Sequence, residues 1–172
     1  TISRRQRQMC IRDSCITDGY GRANDLRLRV NRLDPEQRFV GEENLLLSAM
    51  NLETMASGFY TDRVNGLARP RLLVMRDRAF GRPTKAKKSE RLFFTQSSFT
   101  EPPNVWTTLP DFECAERITD INKHQDEYRW GSAELVNWHS ADGVPLKGIV
   151  IKPDDFDPKR KYPLMVYFYE KR

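Results

Sequence analysis

Between residues 15 and 119, no stretch sustains the i, i+3, i+4 spacing of an amphipathic helix. Apolar residues come in short runs, closed by Gly, Pro, Asn or Asp about every eight to fifteen residues. A chain punctuated this often builds short strands joined by turns, which restricts it to a sandwich, barrel or propeller. Residues 26–30 alternate apolar and basic side chains, the period of a half-buried strand. Residues 45–50 are an apolar run ended by Asn51, and 58–64 are strand-like up to the turn signal Asn65-Gly66. Extended structure is predicted again over 71–75, 91–98 and 104–109, with one more edge strand over 115–119. Pro102, Pro103 and Pro110 oppose helix in this region. Asp18 to Gly21 reads as a turn, Asp34-Pro35 as a loop, and 52–55 or 85–89 as a helical turn at most.

The pattern changes in the last third. Residues 123–132 are polar and turn-rich and read as a linker. Residues 133–140 and 144–152 form a predicted hairpin across Ala141-Asp142-Gly143, followed by a charged loop over 153–162. Residues 163–169 are apolar at nearly every position, the pattern of a strand covered on both faces. This change of strand type places the start of a second domain near residue 132.

Composition narrows the function classes. The chain has 172 residues, enough for one domain or parts of two, and its 38% hydrophobic content is low for a complete core. The net charge is +5, but the first fourteen residues hold four arginines against one aspartate, so the rest is only weakly basic. No nucleic-acid partner is expected, and Lys85, Lys87 and Lys88 read as a solvated turn. No apolar run approaches the length of a membrane span. Cys10, Cys15 and Cys114 fit neither a disulfide framework nor a metal site, and His124 and His139 lack partners at ligand spacing. No metal and no cofactor are expected. Residues 1–14 show neither helical period, alternation nor turn chemistry, and Gln8 to Ser14 resembles a translated sequencing adapter. They are read as a non-native, disordered leader without stable contacts, with a native Arg-rich tail as the alternative.

Several segments carry a family resemblance. Phe94-Thr-Gln-Ser-Ser-Phe-Thr-Glu-Pro-Pro-Asn-Val-Trp106 resembles the last propeller blade of prolyl oligopeptidase family serine peptidases. Ala133-Glu-Leu-Val-Asn-Trp138, Ala141-Asp-Gly143, Gly148-Ile-Val-Ile-Lys-Pro153 and Lys161-Tyr-Pro-Leu-Met-Val-Tyr-Phe-Tyr169 resemble the first strands of the peptidase domain. Asp18-Gly-Tyr-Gly-Arg22 is similar to a blade turn. The resemblance implies a mostly β chain: the last blades of a β-propeller over 15–122, a linker over 123–132, and the truncated opening strands of an α/β-hydrolase domain over 133–172. At about forty to fifty residues per blade, 15–122 holds two to two and a half blades. The implied parent is a serine-type peptidase acting on short peptides by acyl transfer to a serine, without cofactor, in a bacterial periplasm or cytoplasm. Oligomeric state, blade count and the choice between exopeptidase and endopeptidase are left open. A non-catalytic β-propeller interaction module is the alternative; a carbohydrate-binding sandwich is weaker, because the tryptophans are spread out.

The nucleophile elbow Gly-x-Ser-x-Gly is absent, since Gly131-Ser132 and Ser97-Ser98 lack the flanking glycines. In the family the triad lies beyond the position of residue 172, so the chain alone is expected to be inactive and poorly stable. By the resemblance, Tyr169 matches a tyrosine that donates its hydroxyl to the oxyanion, a contact worth roughly 3 kcal/mol of barrier. Tyr167, two residues earlier on the same strand face, is the register alternative, and a strand-end aromatic that only packs is the structural one. Glu170 follows where the family carries a small residue. His139, Ser140 and Asp142 suggest a triad, but adjacent strand positions face opposite ways. Asp154, Asp155 and Asp157 lack the glycine and glutamate of a calcium loop. Trp106, Trp130 and Trp138 are read as packing residues, and Cys114 as a plain thiol.

Overall fold

The computed structural model describes residues 16–34, 36, 44–64 and 69–168. The leader, the Asn65-Gly66 turn and Tyr169 lie outside the described residues. The chain is mostly β and divides into two compact units, one running to Gln125 and the other from Asp126.

The first unit opens with a turn through Asp18 and Gly19, both at positive φ, into one helical turn, α1 (Tyr20–Ala23). Four strands follow: β1 (Leu26–Asn31), β2 (Asn44–Asn51), β3 (Ser57–Arg63) and β4 (Arg71–Arg76). They pair antiparallel in chain order, β1-β2-β3-β4. The run Leu45-Leu46-Leu47 lacks alternation because this sheet is covered on both faces. Leu45, Leu47 and Ala49 pack with Leu26 and Tyr60 on one side, while Leu46 and Phe59 face the other. Between Phe59 and Tyr60 the register slips by a bulge. Gly58 precedes it, where a Cβ would lie 1.9 Å from the Val74 carbonyl oxygen, so only glycine lets the two backbones approach.

The second sheet begins two residues after β4. β5 (Ala79–Phe80) and β6 (Thr84–Lys85) lie end to end beside β7 (Leu92–Ser97), followed by β8 (Asn104–Thr108) and β9 (Glu116–Arg117). This sheet is therefore also four strand positions wide and antiparallel in chain order. Leu92 and Phe94 alternate with half-buried neighbours and face the first sheet. Phe59 centres the shared core, its ring 5.4 Å from Phe80, 5.9 Å from Phe94 and 4.9 Å from Phe112. Offset and edge contacts of this kind add to the area that the rings bury.

The predicted linker begins with a 3-10 helix, Lys123–Glu127. Gln125 is buried there, and its Nε2 donates to the Thr100 carbonyl at 2.6 Å.

The second unit is a long hairpin, β10 (Ser132–His139) and β11 (Pro145–Lys152), in register from Ser132–Lys152 to His139–Pro145. Gly143, at positive φ, closes the turn and donates to the Ser140 carbonyl. Trp138 lies across the strand over Gly148, where a side chain would meet its ring at 2.8 Å. Ile149 and Ile151 remain two-thirds exposed. The charged loop after β11 is ordered by Phe156 stacked on Tyr162 at 5.2 Å and by the Tyr162 hydroxyl, which accepts from the Asp157 amide. The strand predicted over 163–169 does not form in its described part: residues 163–168 pair with no strand among the described residues. An apolar sequence alone does not make a strand, because the backbone groups need a partner ladder.

Candidate functional site

The residues singled out in the sequence do not converge. Tyr169 lies outside the described residues. Tyr167 is 84% exposed and outside any strand. Ser140 Oγ accepts from the Val144 amide at 3.1 Å and so belongs to the hairpin turn, while His139 is exposed on β10. Asp157 Oδ1 caps a turn by accepting from the Lys159 amide. His124 is exposed on the 3-10 helix and Cys114 is an exposed free thiol. Lys85 pairs with Glu90 at 2.8 Å. Trp106 is half-buried in the first unit, and Trp130 and Trp138 are more exposed than packing residues need be. Among the described residues no group of His, Cys, Asp and Glu is placed to hold a metal ion.

The sequence reading missed a different cluster. A cavity of about 330 Å³ in the first unit is lined by Arg76, Arg78, Gln96, Glu101, Asn104, Trp106 and Arg117. The strand register explains the gathering. Gln96 opposes Asn104, Phe94 opposes Trp106, and Trp106 opposes Arg117, so these side chains share the inner face of the second sheet. Arg76 ends β4 and Arg78 follows it, bringing two guanidinium groups from the first sheet.

Each wall is fixed by local bonds. Ser57 Oγ donates to the Arg78 carbonyl at 2.7 Å and accepts from the Phe80 amide. The Glu101 amide donates to Ser98 Oγ at 3.1 Å, and Gln125 holds the same loop through Thr100. Asn104 Oδ1 accepts from Thr119 Oγ1 and from the Ile121 amide, both at 3.0 Å. Glu101 takes a two-point contact from Arg78, with Nη2 donating to Oε1 at 2.6 Å and Nη1 donating to Oε2. Arg117 lies 3.4 Å from Asp120. Arg76 has no ion-pair partner among the described residues. Gln96 is only 5% exposed, and its side chain lines the cavity.

The hydrogen bonds from Arg78 hold the Glu101 carboxyl below its ordinary value of 4.5, and the same pairing raises the Arg78 guanidinium. The sign follows directly. A carboxyl depressed in the folded state stabilises fully above the unfolded value and loses that contribution as pH falls through the folded one. Glu101→Gln is therefore expected to flatten the decline in stability below pH about 4.5, by at most about 1 kcal/mol because the pair is partly exposed. Denaturant melts of both proteins across this range measure the difference.

No family model matches the chain, and no curated protein matches it. Solved structures do. The chain is similar in structure to the isopeptidase AtxE2. Against a variant of that enzyme with Astexin3-dC4 bound, the TM-score is 0.48 at 14% identity, covering 81% of this chain and 26% of that one. Against the apo form the TM-score is 0.48 at 12% identity, covering 95% and 29%. The chain thus spans less than a third of the length of these structures.

Proposed function

We propose that this chain is the join between a β-propeller and the opening sheet of a serine peptidase of the prolyl oligopeptidase type. One observation carries the reading: two successive sheets, each four strands wide in chain order, pack face to face through the Phe59 cluster. A Greek-key sandwich passes strands between its sheets, whereas propeller blades follow one another as complete meanders. The first sheet is covered on both faces, which suits a blade with a neighbour on each side. The hairpin of the second unit carries apolar residues on both faces, and many of them remain exposed, which suits the start of a larger sheet that helices cover.

In this reading the parent hydrolyses short peptides by acyl transfer to a serine, and a histidine and an aspartate supply the proton transfer and its orientation. None of these three residues belongs to the positions described above. Tyr169 is assigned as an oxyanion donor, with Tyr167 as the register alternative. The test is the surrounding gene. A reading frame that continues into Gly-x-Ser-x-Gly, then Asp, then His, and a longer product labelled by a fluorophosphonate are the expected results. The 172-residue chain itself is expected to take no label. A continuation holding only further four-stranded repeats favours a non-catalytic propeller module, and label on the 172-residue chain refutes the assignment of the nucleophile elsewhere.

A further inference from the structure

We propose that the cavity at the end of the two sheets binds a carboxylate carried by a peptide, either an acidic side chain or a chain terminus. Three guanidinium groups and one carboxylate line it, an excess of positive charge. The carboxylate, Glu101, is matched to Arg78. Asp120 lies outside the lining and is shared between Arg117 and Lys123, each at 3.4 Å. Arg76 is the cation left without a counter-ion among the described residues. Beside it in the lining stands Gln96, a residue 5% exposed whose side chain faces the cavity.

One guanidinium and one primary amide are N–H donors suited to the two oxygens of a carboxylate, with the guanidinium able to bond in parallel pairs. About 330 Å³ is roughly ten times the share of one water in the liquid, so the cavity admits a side chain and not only an ion. Trp106 supplies a flat apolar wall for the methylenes of such a group. The site is built by the first unit alone, so it stands whether or not the peptidase reading does.

The test is titration calorimetry on the 172-residue chain with N-acetyl-Glu-Glu, its uncharged N-acetyl-Gln-Gln amide counterpart, and inorganic phosphate. Saturable binding of the acidic dipeptide, with Kd of about 1 mM or below and weakening with salt, is the expected result. The amide counterpart is expected not to bind. Arg76→Gln is expected to weaken binding about tenfold, and Gln96→Leu to do so comparably. Arg76 is exposed at a strand end, so its replacement keeps the fold intact even if Gln96→Leu does not. Lys88→Gln, an exposed lysine outside the cavity, is expected to change nothing. The proposal is overturned by absence of saturable binding, by equal binding of the uncharged peptide, by phosphate binding more tightly than the dipeptide, or by a Lys88→Gln effect as large as that of Arg76→Gln.

Discussion

Phe59→Ala is expected to lower the unfolding free energy by about 3–5 kcal/mol. The residue is 1% exposed and sits where the two sheets of the first unit meet. Its ring contacts Phe80, Phe94 and Phe112, and those rings also pack on one another, Phe80 to Phe94 at 5.7 Å and Phe94 to Phe112 at 5.6 Å. Truncation removes the transfer free energy of one aromatic side chain and leaves a void whose walls belong to two different sheets. Neither sheet can close the gap without sliding against the other, so relaxation is limited and the cost falls in the upper part of the range for aromatic truncations. Urea denaturation followed by tryptophan fluorescence reads the change as a lower midpoint at unchanged slope. Leu72→Ala, on β4 and about half exposed, is the control and is expected to cost less than about 1 kcal/mol. If Phe59→Ala matches that control, the sheets do not share a core, and the blade reading loses its support.

The strands were legible because period-two alternation and turn residues are local signals. Residues 26–30, 45–50, 58–64, 71–75, 91–98 and 104–109 each correspond to a strand whose ends differ by at most one residue. The cavity was less legible, although one signal pointed at it. Gln96 occupies the third inward position of β7 after Leu92 and Phe94, so a polar side chain stands where alternation demands an apolar one. That anomaly was visible in the sequence. Its meaning was not, because Arg76 and Arg78 reach the same place through packing of one sheet on another, and no local spacing encodes that. The same limit applies to 163–169. Their composition announces a strand buried on both faces, but burial and pairing depend on residues outside the segment. Gly58 is a third case: the need for glycine there comes from the Val74 carbonyl on a neighbouring strand, which no local spacing encodes.

Replacing Val166 with Lys and Phe168 with Glu together is expected to raise the concentration at which the protein self-associates by about a hundredfold. Leu164, Met165, Val166, Tyr167 and Phe168 form a continuous apolar run in which every residue is at least 70% exposed. The run contains no charge and no proline, and its β-branched and aromatic members suit a pleated surface. Such a segment, outside any strand and with its apolar side chains exposed, offers a surface to another copy of itself. Burying a Val or Phe side chain contributes about 1.5–3 kcal/mol, so losing two removes roughly 3 kcal/mol after the cost of ordering the segment. At 1.4 kcal/mol per tenfold, that is about a hundredfold. One added cation and one added anion leave the net charge unchanged, so a general gain in repulsion cannot explain the result. Sedimentation velocity over a dilution series measures the onset. If the double variant associates at the same concentration as the parent chain, the run does not drive association, and the exposed Ile149 and Ile151 of the hairpin become the residues to charge next.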